Sequence, residues 1–415
     1  MIRKLVPALA VGAVLALSAC GGTAKSSSDG SDGVKMGPGV TDDEIKIGIL
    51  SDYSGPIAEA ATSGSLGMEV KLDEVNEAGG VCGRELVAVK GDTKYDAQQT
   101  VQAYRTMSGE VLMLGEVLGS LSINAIKSNI ERDEMPAMAI SLNTSTMLAK
   151  NVYVPLPVFE VELANGVPWA AEKAGASEDK PVKMASVTGT DEYGKAYAEA
   201  VRAAADATPG AEVVAEPTFA LTDKDFTAQV SALRDSGADV VLLGTGPEQT
   251  AGIVGTAAQL GYDPIWVAAS GAWFSSLAEP LKGLLDNFYV STGYGTVADD
   301  VPGIAAMKKA YEKYAPDATP TNFSVGGWLF GEATVAALEK ACEAEDLTRE
   351  GVIAALEDLD VDYQGITPAV NLGDGDSIVS YSSRMNTVGP DGSLVPEGDF
   401  YESDAAKAWG EKNGF

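Results

Sequence analysis

Short apolar runs alternate with longer amphipathic stretches from residue 43 onward. The runs EIKIGIL (44–50), ELVAVK (85–90) and DVVLL (239–243) have the length and residue types of β-strands. The segment 64–77 instead carries apolar residues at helical spacing. Because the VVLL part of DVVLL is apolar throughout, it is typical of a strand buried on both faces of a parallel sheet. The pattern therefore predicts strands and helices in alternation.

The alternation occurs in two successive sets. In the first set we predict strands at 44–50, 85–90, 111–114 and 135–140 and helices at 64–77, 97–107 and 122–133. In the second set we predict strands at 182–187, 212–216, 239–243 and 264–269 and helices at 193–205, 226–235 and 248–260. Helices at 304–314, 325–343 and 348–359 follow, and then short strands. Two such sets predict an α/β protein with two doubly wound lobes.

Composition supports two domains and excludes several functions. The chain has 415 residues, of which 45% are hydrophobic, which suits about two domains. Its net charge of -31 repels nucleic acid and anionic lipid headgroups, so we expect neither as a partner. It contains no histidine, which excludes Ser-His-Asp and Cys-His catalysis and histidine-containing zinc sites. Carboxylate-only hydrolysis and a lysine Schiff base stay open, but no motif indicates them. We therefore expect a protein that is not an enzyme and needs neither metal nor cofactor.

The first 20 residues are typical of a secretory signal peptide. Arg3 and Lys4 precede an apolar stretch at 5–17, which is too short for a membrane span but suits a signal sequence. The following Leu-Ser-Ala-Cys resembles a bacterial lipobox, which implies that Cys20 is lipidated and starts the mature protein. The alternative is an ordinary cleaved signal with an incidental cysteine. Residues 21–42 are rich in Gly, Ser and Asp, and we expect a flexible tether there.

Cys82 and Cys342 are the remaining cysteines. An exported protein lies in an oxidising compartment, which permits a disulfide. Since a sequence does not show whether two Cα atoms are within bonding reach, two separate buried thiols remain the alternative.

Several short motifs occur in a fixed order along the chain. They are IKIGIL (45–50), SGP (54–56), NEAGGV (76–81), GREL (83–86), DEYG (191–194), KDF (224–226), GADVV (237–241) and LTREGV (347–352). Each motif is weak alone. Their order and spacing resemble the Leu/Ile/Val-binding protein family, the type I periplasmic solute-binding proteins of ABC importers. The resemblance covers about residues 43–415.

This resemblance implies two Rossmann-like lobes joined by a three-stranded hinge. Lobe 1 would comprise 43–163 plus 287–370, and lobe 2 would comprise 164–286 plus 371–415. Both Cys82 and Cys342 then fall in lobe 1, which favours a disulfide between them.

The resemblance also implies a function. The protein would be a monomeric lipoprotein on the extracytoplasmic side of the cell membrane. It would capture an amino acid, or a related amide or carboxylate, and deliver it to an ABC permease with a cytoplasmic ATPase. The alternative function is a ligand-sensing receptor subunit on the same fold, because fold alone does not separate the two.

We expect the ligand at the carboxyl ends of the strands, where loops and helix N-termini converge. The candidate ligand-binding residues are Gly119, Ser120, Ser141, Asn143 and Thr144 in lobe 1, and Tyr193, Gly246, Ser270 and Trp273 in lobe 2. Tyr193 takes its role from the resemblance, as the ligand-lining tyrosine of the family. For the hydroxyl residues the alternative is a helix cap or turn, and for Trp273 it is the core.

The chain departs from the amino-acid binders of this family at three positions. The tyrosine of the first loop is replaced near Ala60, and a second tyrosine is missing near Gly246. Where the family offers an acid to the ligand ammonium, this chain has Ser270. Glu116 or Glu248 are candidates for the missing charge. Because a buried ammonium without a carboxylate is costly, an amide, a carboxylate or an aromatic acid is also expected as ligand.

Overall fold

The computed structural model describes residues 28–415, apart from residues 141, 142, 178, 358 and 374–376. The expected signal peptide, Cys20 and Ser141 therefore lie outside the described residues. In the described part of the chain, no helix has the length and apolar character needed to span a membrane.

The elements alternate as the sequence predicts. The strands are β1 (Ser28–Asp29), β2 (Lys35–Met36), β3 (Glu44–Ser51), β4 (Glu85–Asp92), β5 (Met113–Leu118), β6 (Ala137–Ile140), β7 (Val152–Tyr153), β8 (Val182–Gly189), β9 (Ala211–Ala215), β10 (Thr218–Phe219), β11 (Val240–Gly244), β12 (Ile265–Ala269), β13 (Phe288–Thr292), β14 (Asp346–Leu347), β15 (Asp360–Val361), β16 (Val370–Asn371), β17 (Arg384–Val388) and β18 (Leu394–Pro396). The helices are α1 (Ala58–Glu77), α2 (Ala97–Met107), α3 (Ser120–Arg132), α4 (Thr144–Met147), α5 (Phe159–Lys173), α6 (Glu192–Asp206), α7 (Thr227–Ser236), α8 (Pro247–Gln259), α9 (Pro302–Tyr314), α10 (Asn322–Glu343), α11 (Arg349–Leu356) and α12 (Asp404–Asn413).

The first lobe is built on the parallel sheet β4-β3-β5-β6-β7. Its interior strand β3 buries Ile45, Ile47 and Ile49 on one face and Leu50 on the other, as expected for a strand covered on both faces. Helices α1 and α10 pack closely on each other beside this sheet. A Cβ atom at Gly327 would lie 1.8 Å from the carbonyl oxygen of Gly64, so this approach requires glycine.

The second lobe is built on the sheet β10-β8-β11-β12-β13-β17-β18, with β9 also paired to β8. Strands β8 to β13 are parallel, whereas β17 and β18 are antiparallel. Helices α5, α6 and α12 contribute to the hydrophobic cluster on one side of the sheet, and α7 and α8 contribute to the other. The predicted α/β fold with two lobes is therefore confirmed.

The chain passes between the sheets three times. It crosses between β7 and α5, again after β13, and a third time between β16 and β17. The boundaries differ from those expected. The expected junction at 163/164 falls inside α5, and the expected return to lobe 1 at 287 comes before β13, which pairs within the second sheet. Lobe 2 therefore begins at α5, and the chain returns to lobe 1 only after β13. The sequence analysis had predicted neither of these two elements.

Residues 28–40 form a strap that packs on the first lobe. Strand β2 pairs with β1 and, in parallel, with β14. Asp32 accepts two hydrogen bonds, of 2.7 and 3.1 Å, from the guanidinium of Arg84, which is 1% exposed. Val34 and Val40 are buried. The expectation of a flexible tether at 21–42 is thus corrected for this segment, because its apolar and charged residues find partners that are distant in sequence.

A disulfide joins Cys82 to Cys342 within the first lobe. Their Cα atoms lie 6.0 Å apart, although 260 residues separate them along the chain. The bond ties the loop before β4 to the end of α10.

Candidate functional site

The loops at the carboxyl ends of the two parallel sheets meet between the lobes. Ser276, beyond β12, donates a hydrogen bond of 2.8 Å to Glu59 in the first turn of α1. The rings of Phe274 and Phe323 meet edge to face with centroids 4.8 Å apart. Both contacts join one lobe to the other, so the structure shows the lobes closed on each other.

In lobe 1, Gly119 and Ser120 start helix α3 beside the ring of Tyr95. Gly119 has φ 85°, and a Cβ atom there would lie 2.4 Å from the tyrosine ring, so glycine makes room for the aromatic side chain. In the described structure no side chain caps the first turn of α3. Uncapped amides at a helix N-terminus attract anions. Gly119 and Ser120 thus form a helix start whose backbone amides have no side-chain cap in the described structure.

Tyr95 was not among the predicted site residues. Its backbone has φ 51°, an unusual value for a tyrosine, and no local pattern announces it. Burial raises the pKa of its hydroxyl to about 12, and the carboxylates of Asp191 in lobe 2 and Asp52 in lobe 1 act in the same direction. The hydroxyl therefore stays protonated and able to donate at neutral pH. The only sequence signal for this site residue was the presence of an aromatic side chain shortly after the end of β4.

Asn143 and Thr144 follow β6 but play different roles. The side-chain oxygen of Asn143 caps α4 by accepting from the amide of Ser145, whereas its Nδ2 atom is buried and has no partner in the described structure. Thr144 donates its amide (3.1 Å) and its hydroxyl (2.8 Å) to one oxygen of Glu160. Thr144 is therefore engaged inside the protein, while Asn143 retains two N–H groups to donate.

In lobe 2, Tyr193 belongs to an aromatic cluster at the start of α6. Asp191 caps this helix by accepting from the amide of Gly194 at 3.0 Å. The rings of Tyr193 and Tyr197 meet edge to face at 4.5 Å, and the hydroxyl of Tyr197 donates to that of Tyr193 at 2.8 Å. Phe159 packs on both rings. The hydroxyl of Tyr193 thus keeps its own proton free for a ligand.

Ser270 stands where the family resemblance led us to expect an acid, and it is bound to a buried acid from elsewhere. Its amide and hydroxyl donate to the two oxygens of Glu162 at 2.8 and 2.9 Å, and the amide of Gly293 donates to the same carboxylate at 2.8 Å. Glu162 lies on α5, just after the first crossing, and Gly293 lies on the second. The carboxylate thus links two crossings, and Ser270 has no free proton to donate.

Glu160 and Glu162 are neighbours in the first turn of α5 and are both fully buried. Burial raises the pKa of Glu160 to about 7, against the hydrogen bonds that lower it. Burial likewise raises the pKa of Glu162 to about 8, and the charge of Glu160 adds to that rise. Neither residue was predicted, because α5 itself was not predicted. The available signal was two glutamates inside the apolar run 158–164.

The remaining predicted residues are less central. Gly246 precedes α8, which also has no side-chain cap in the described structure. Trp273 is 3% exposed, donates from its indole nitrogen to the carbonyl oxygen of Gly392 and packs on Phe288. Trp273 therefore serves chiefly as a core residue, which was the alternative given for it.

Of the two candidates for the missing negative charge, Glu116 keeps a buried Oε2 atom without a partner in the described structure, whereas Glu248 is paired. Glu248 is exposed and pairs with Lys224 at the surface. Glu116 is buried in β5 and accepts a hydrogen bond of 2.9 Å from Ser65 on α1. Burial raises the pKa of Glu116 to about 7.

Within the residues that the structure covers, no group of three or more His, Cys, Asp or Glu side chains is arranged to hold a metal ion.

The geometry agrees with comparisons to known proteins. A family model described as "Periplasmic binding protein" matches residues 44–389. Leu/Ile/Val-binding protein homolog 7 of Brucella abortus (strain 2308) is 23% identical over 314 residues, which is 72% of this chain and 77% of that protein. The fatty acid ABC transporter substrate-binding protein from Thermomonospora curvata is 32% identical with a TM-score of 0.84, over 92% of this chain and 98% of that one.

A further solved structure shares the fold at lower identity. It is the branched chain amino acid ABC transporter from Thermus thermophilus with bound valine, which is 18% identical with a TM-score of 0.74. The similarity covers 88% of this chain and 98% of that one.

Proposed function

The chain belongs to the periplasmic binding protein family, and we propose that it binds a carboxylate with an apolar body rather than an ordinary amino acid. Its role is that of the solute-binding protein of an ABC importer, which captures a small solute outside the cytoplasm and delivers it to a membrane permease. The observation that supports the role is the contact between the strand-end loops of the two lobes, where Ser276 donates to Glu59 and the rings of Phe274 and Phe323 meet edge to face.

The hydrogen-bond donors on the strand-end loops support a carboxylate ligand. The uncapped amides of α3, the hydroxyls of Tyr95 and Tyr193 and the Nδ2 atom of Asn143 are all hydrogen-bond donors. By contrast, the acid that would pair with a ligand ammonium is replaced by Ser270, and the oxygens of Glu162 are already occupied by protein donors. An ammonium beside Ser270 would therefore find no free oxygen on Glu162, and burying an ammonium unpaired is costly. The relative from Thermomonospora curvata, which is named for fatty acids, supports the same class.

Closure of the lobes supplies the mechanism. A solute that contacts α3 in lobe 1 and Tyr193 in lobe 2 favours the closed state by the free energy of contacts that only this state provides. The closed, loaded protein is then the form that a permease recognises. We expect no chemical change of the solute and a monomer in solution.

The first test is thermal unfolding of residues 20–415 carrying Cys20→Ser, so that the strap is retained and no detergent is needed. The panel is butanoate, octanoate, benzoate, leucine and leucinamide. A ligand at a hundred times its dissociation constant adds about 2.7 kcal/mol of stability, which is a shift of a few degrees. We expect butanoate, octanoate and benzoate to raise the unfolding temperature, and we expect Tyr193→Ala to abolish these shifts. A thermal shift with leucine alone would contradict the carboxylate class. The absence of a shift with all of these solutes would contradict solute binding.

We also propose that the protein is anchored by lipid at Cys20. The support is the Leu-Ser-Ala-Cys motif directly after the apolar stretch, with seven residues, 21–27, between Cys20 and β1. The full chain with Cys20→Ser should move from the membrane fraction to the soluble fraction, because acyl chains would supply the attachment. Continued sedimentation with membranes would contradict the anchor.

A further inference from the structure

The strap lies at the end of lobe 1 where the strands of its sheet begin, which we name the base of lobe 1. The carbonyl oxygen of Gly39 accepts a hydrogen bond of 2.8 Å from the amide of Lys46 in β3. A Cβ atom at Gly39 would lie 2.6 Å from the amide nitrogen of Leu112, next to β5. Arg84, the buried partner of the strap, directly precedes β4. Since β3 has eight residues, the loops at its carboxyl end lie about 26 Å from the base.

Several independent contacts fix the strap at the base. Strand β2 runs beside β14, and the amides of Lys35 and Gly37 donate to the carbonyl oxygens of Glu345 (3.0 Å) and Leu347 (2.9 Å). The ammonium of Lys35 also pairs with Asp346 at 2.9 Å. The strap is therefore part of the folded body of lobe 1 and does not act as a linker.

Pairing of the strap shortens the part of the chain that can serve as a tether. Between Cys20 and β1 there are seven residues, 21–27, which reach at most about 25 Å when fully extended. If the chain were unpaired as far as residue 42, the 22 residues 21–42 would reach about 75 Å. The strap thus reduces the greatest reach roughly threefold.

We propose that the strap holds the base of lobe 1 beside the lipid bilayer, so that lobe 2 is the lobe farther from the membrane. The proposal rests on the lipid anchor at Cys20 proposed above. Anionic headgroups do not attract this end of the molecule, because Asp32, Asp42 and Asp43 are exposed on or beside the strap. The acyl chains supply the attachment, and the paired strap sets the distance.

The test is energy transfer from a dye on the full, acylated chain to acceptor-labelled lipids in phosphatidylcholine vesicles. One donor is attached at Glu110→Cys, in the exposed loop between α2 and β5 at the base of lobe 1. The other is attached at Asp263→Cys, an exposed position before β12 at the far end of lobe 2. Cys82 and Cys342 form a disulfide and do not take up the thiol-reactive dye. We expect stronger transfer from residue 110 than from residue 263.

Replacing residues 28–40 by the same number of Gly and Ser residues removes every contact of the strap. This variant should lose more than about half of the difference in transfer, because the greatest reach grows roughly threefold. Gly37→Ala with Gly39→Ala makes the same test with two added methyl groups, which would lie 2.9 Å from Thr348 and 2.6 Å from Leu112.

Gly33→Ala is the matched control for the glycine variants. Gly33 and Gly39 both have positive φ, at 87° and 80°, but a Cβ atom at Gly33 would meet nothing within 4 Å. The control should therefore keep the wild-type difference in transfer. Circular dichroism and the thermal midpoint identify which variants remain folded.

The outcomes separate the strap from the anchor. Equal transfer from the two positions in the wild type would overturn the proposal. A difference that survives in the folded strap variants would also overturn it, because the orientation would then have another cause. Failure of the full, acylated chain to bind vesicles would instead count against the lipid anchor, and with it against this proposal. Solute binding is measured separately and depends on neither result.

Discussion

Two buried glutamates on the same helical turn should differ in how much the same substitution destabilises the protein at acid pH. In Glu160→Gln the side-chain oxygen can still accept both bonds from Thr144, because both donors contact one oxygen and the other oxygen has no partner in the described structure. In Glu162→Gln one oxygen keeps the hydroxyl of Ser270 and the amide of Gly293. The new NH₂ group then faces the amide of Ser270, so two donors oppose each other.

The magnitudes follow from these bonds and from burial. Leaving a buried amide without an acceptor costs about 1–3 kcal/mol, so Glu162→Gln should destabilise by about that much when both acids are protonated. Under the same conditions Glu160→Gln should change stability by less than about 1 kcal/mol. The pKa of Glu160 rises from 4.5 to about 7 on burial. Since one pKa unit corresponds to about 1.4 kcal/mol, ionisation of this group destabilises the fold by about 3 kcal/mol.

The sign of the pH dependence follows from the direction of these shifts. An acid whose folded pKa is raised contributes fully below its unfolded pKa, and its contribution is lost as pH rises through the folded value. Between pH 4.5 and 8 the wild type should therefore lose stability relative to both Gln variants. Glu160→Gln should pass from near neutral to stabilising by about 3 kcal/mol.

Urea unfolding at pH 4.5 and pH 8, followed by circular dichroism, measures both effects. Equal destabilisation by the two substitutions at pH 4.5 would refute the hydrogen-bond assignment. A Glu160→Gln effect that does not change between the two pH values would refute the raised pKa of Glu160.

Three further predictions concern other parts of the molecule. Tyr193→Ala should weaken ligand binding at least tenfold in calorimetry, and it should also lower the thermal midpoint because the ring contacts with Phe159 and Tyr197 are lost. Unchanged affinity of the folded variant would move the ligand elsewhere. A chain that starts at residue 43 should unfold at a lower temperature than one that starts at residue 20, because Arg84 loses its bonds to Asp32. An equal midpoint would show that the strap adds nothing. Replacing Cys82 and Cys342 together by Ser should lower the free energy of unfolding by about 3–5 kcal/mol, given the 260 residues between them. Urea curves that coincide with the wild type would contradict this.

The local spacing of apolar residues predicted most of the fold, because most helices and strands bury one row of apolar side chains. The helix predicted at 97–107 has the bounds that the structure shows, and DVVLL at 239–243 is a central strand. Helix α5 was missed because it carries Pro168 inside and two glutamates in its first turn. The strap was missed because its partners, Arg84 and β14, lie far along the chain. Long-range pairing leaves no local pattern.

The candidate site was predictable where it depends on strand ends and unpredictable where it depends on side-chain partners. The loops at Gly119 and Tyr193 follow from the positions of β5 and β8. Tyr95 was missed because its approach to Gly119 depends on a positive φ in a loop. The hydrogen bonds of Thr144 and Ser270 to glutamates were equally invisible, because the segment that carries both acids, helix α5, was predicted as neither strand nor helix.

The replacement of an acid by Ser270 and the presence of Glu162 are best understood together. An acid at position 270 would lie against the buried carboxylate of Glu162, and two like charges in an apolar setting oppose each other. With serine there, the loop instead donates two hydrogen bonds to Glu162, which also holds the second crossing through Gly293. The carboxylate is thus used to fix the hinge rather than to recognise a ligand ammonium. Under the proposed function, the serine that stands in place of the ammonium-pairing acid therefore also joins the cleft loop to the hinge. A solute that contacts Tyr193 would then act next to the point where the lobes pivot.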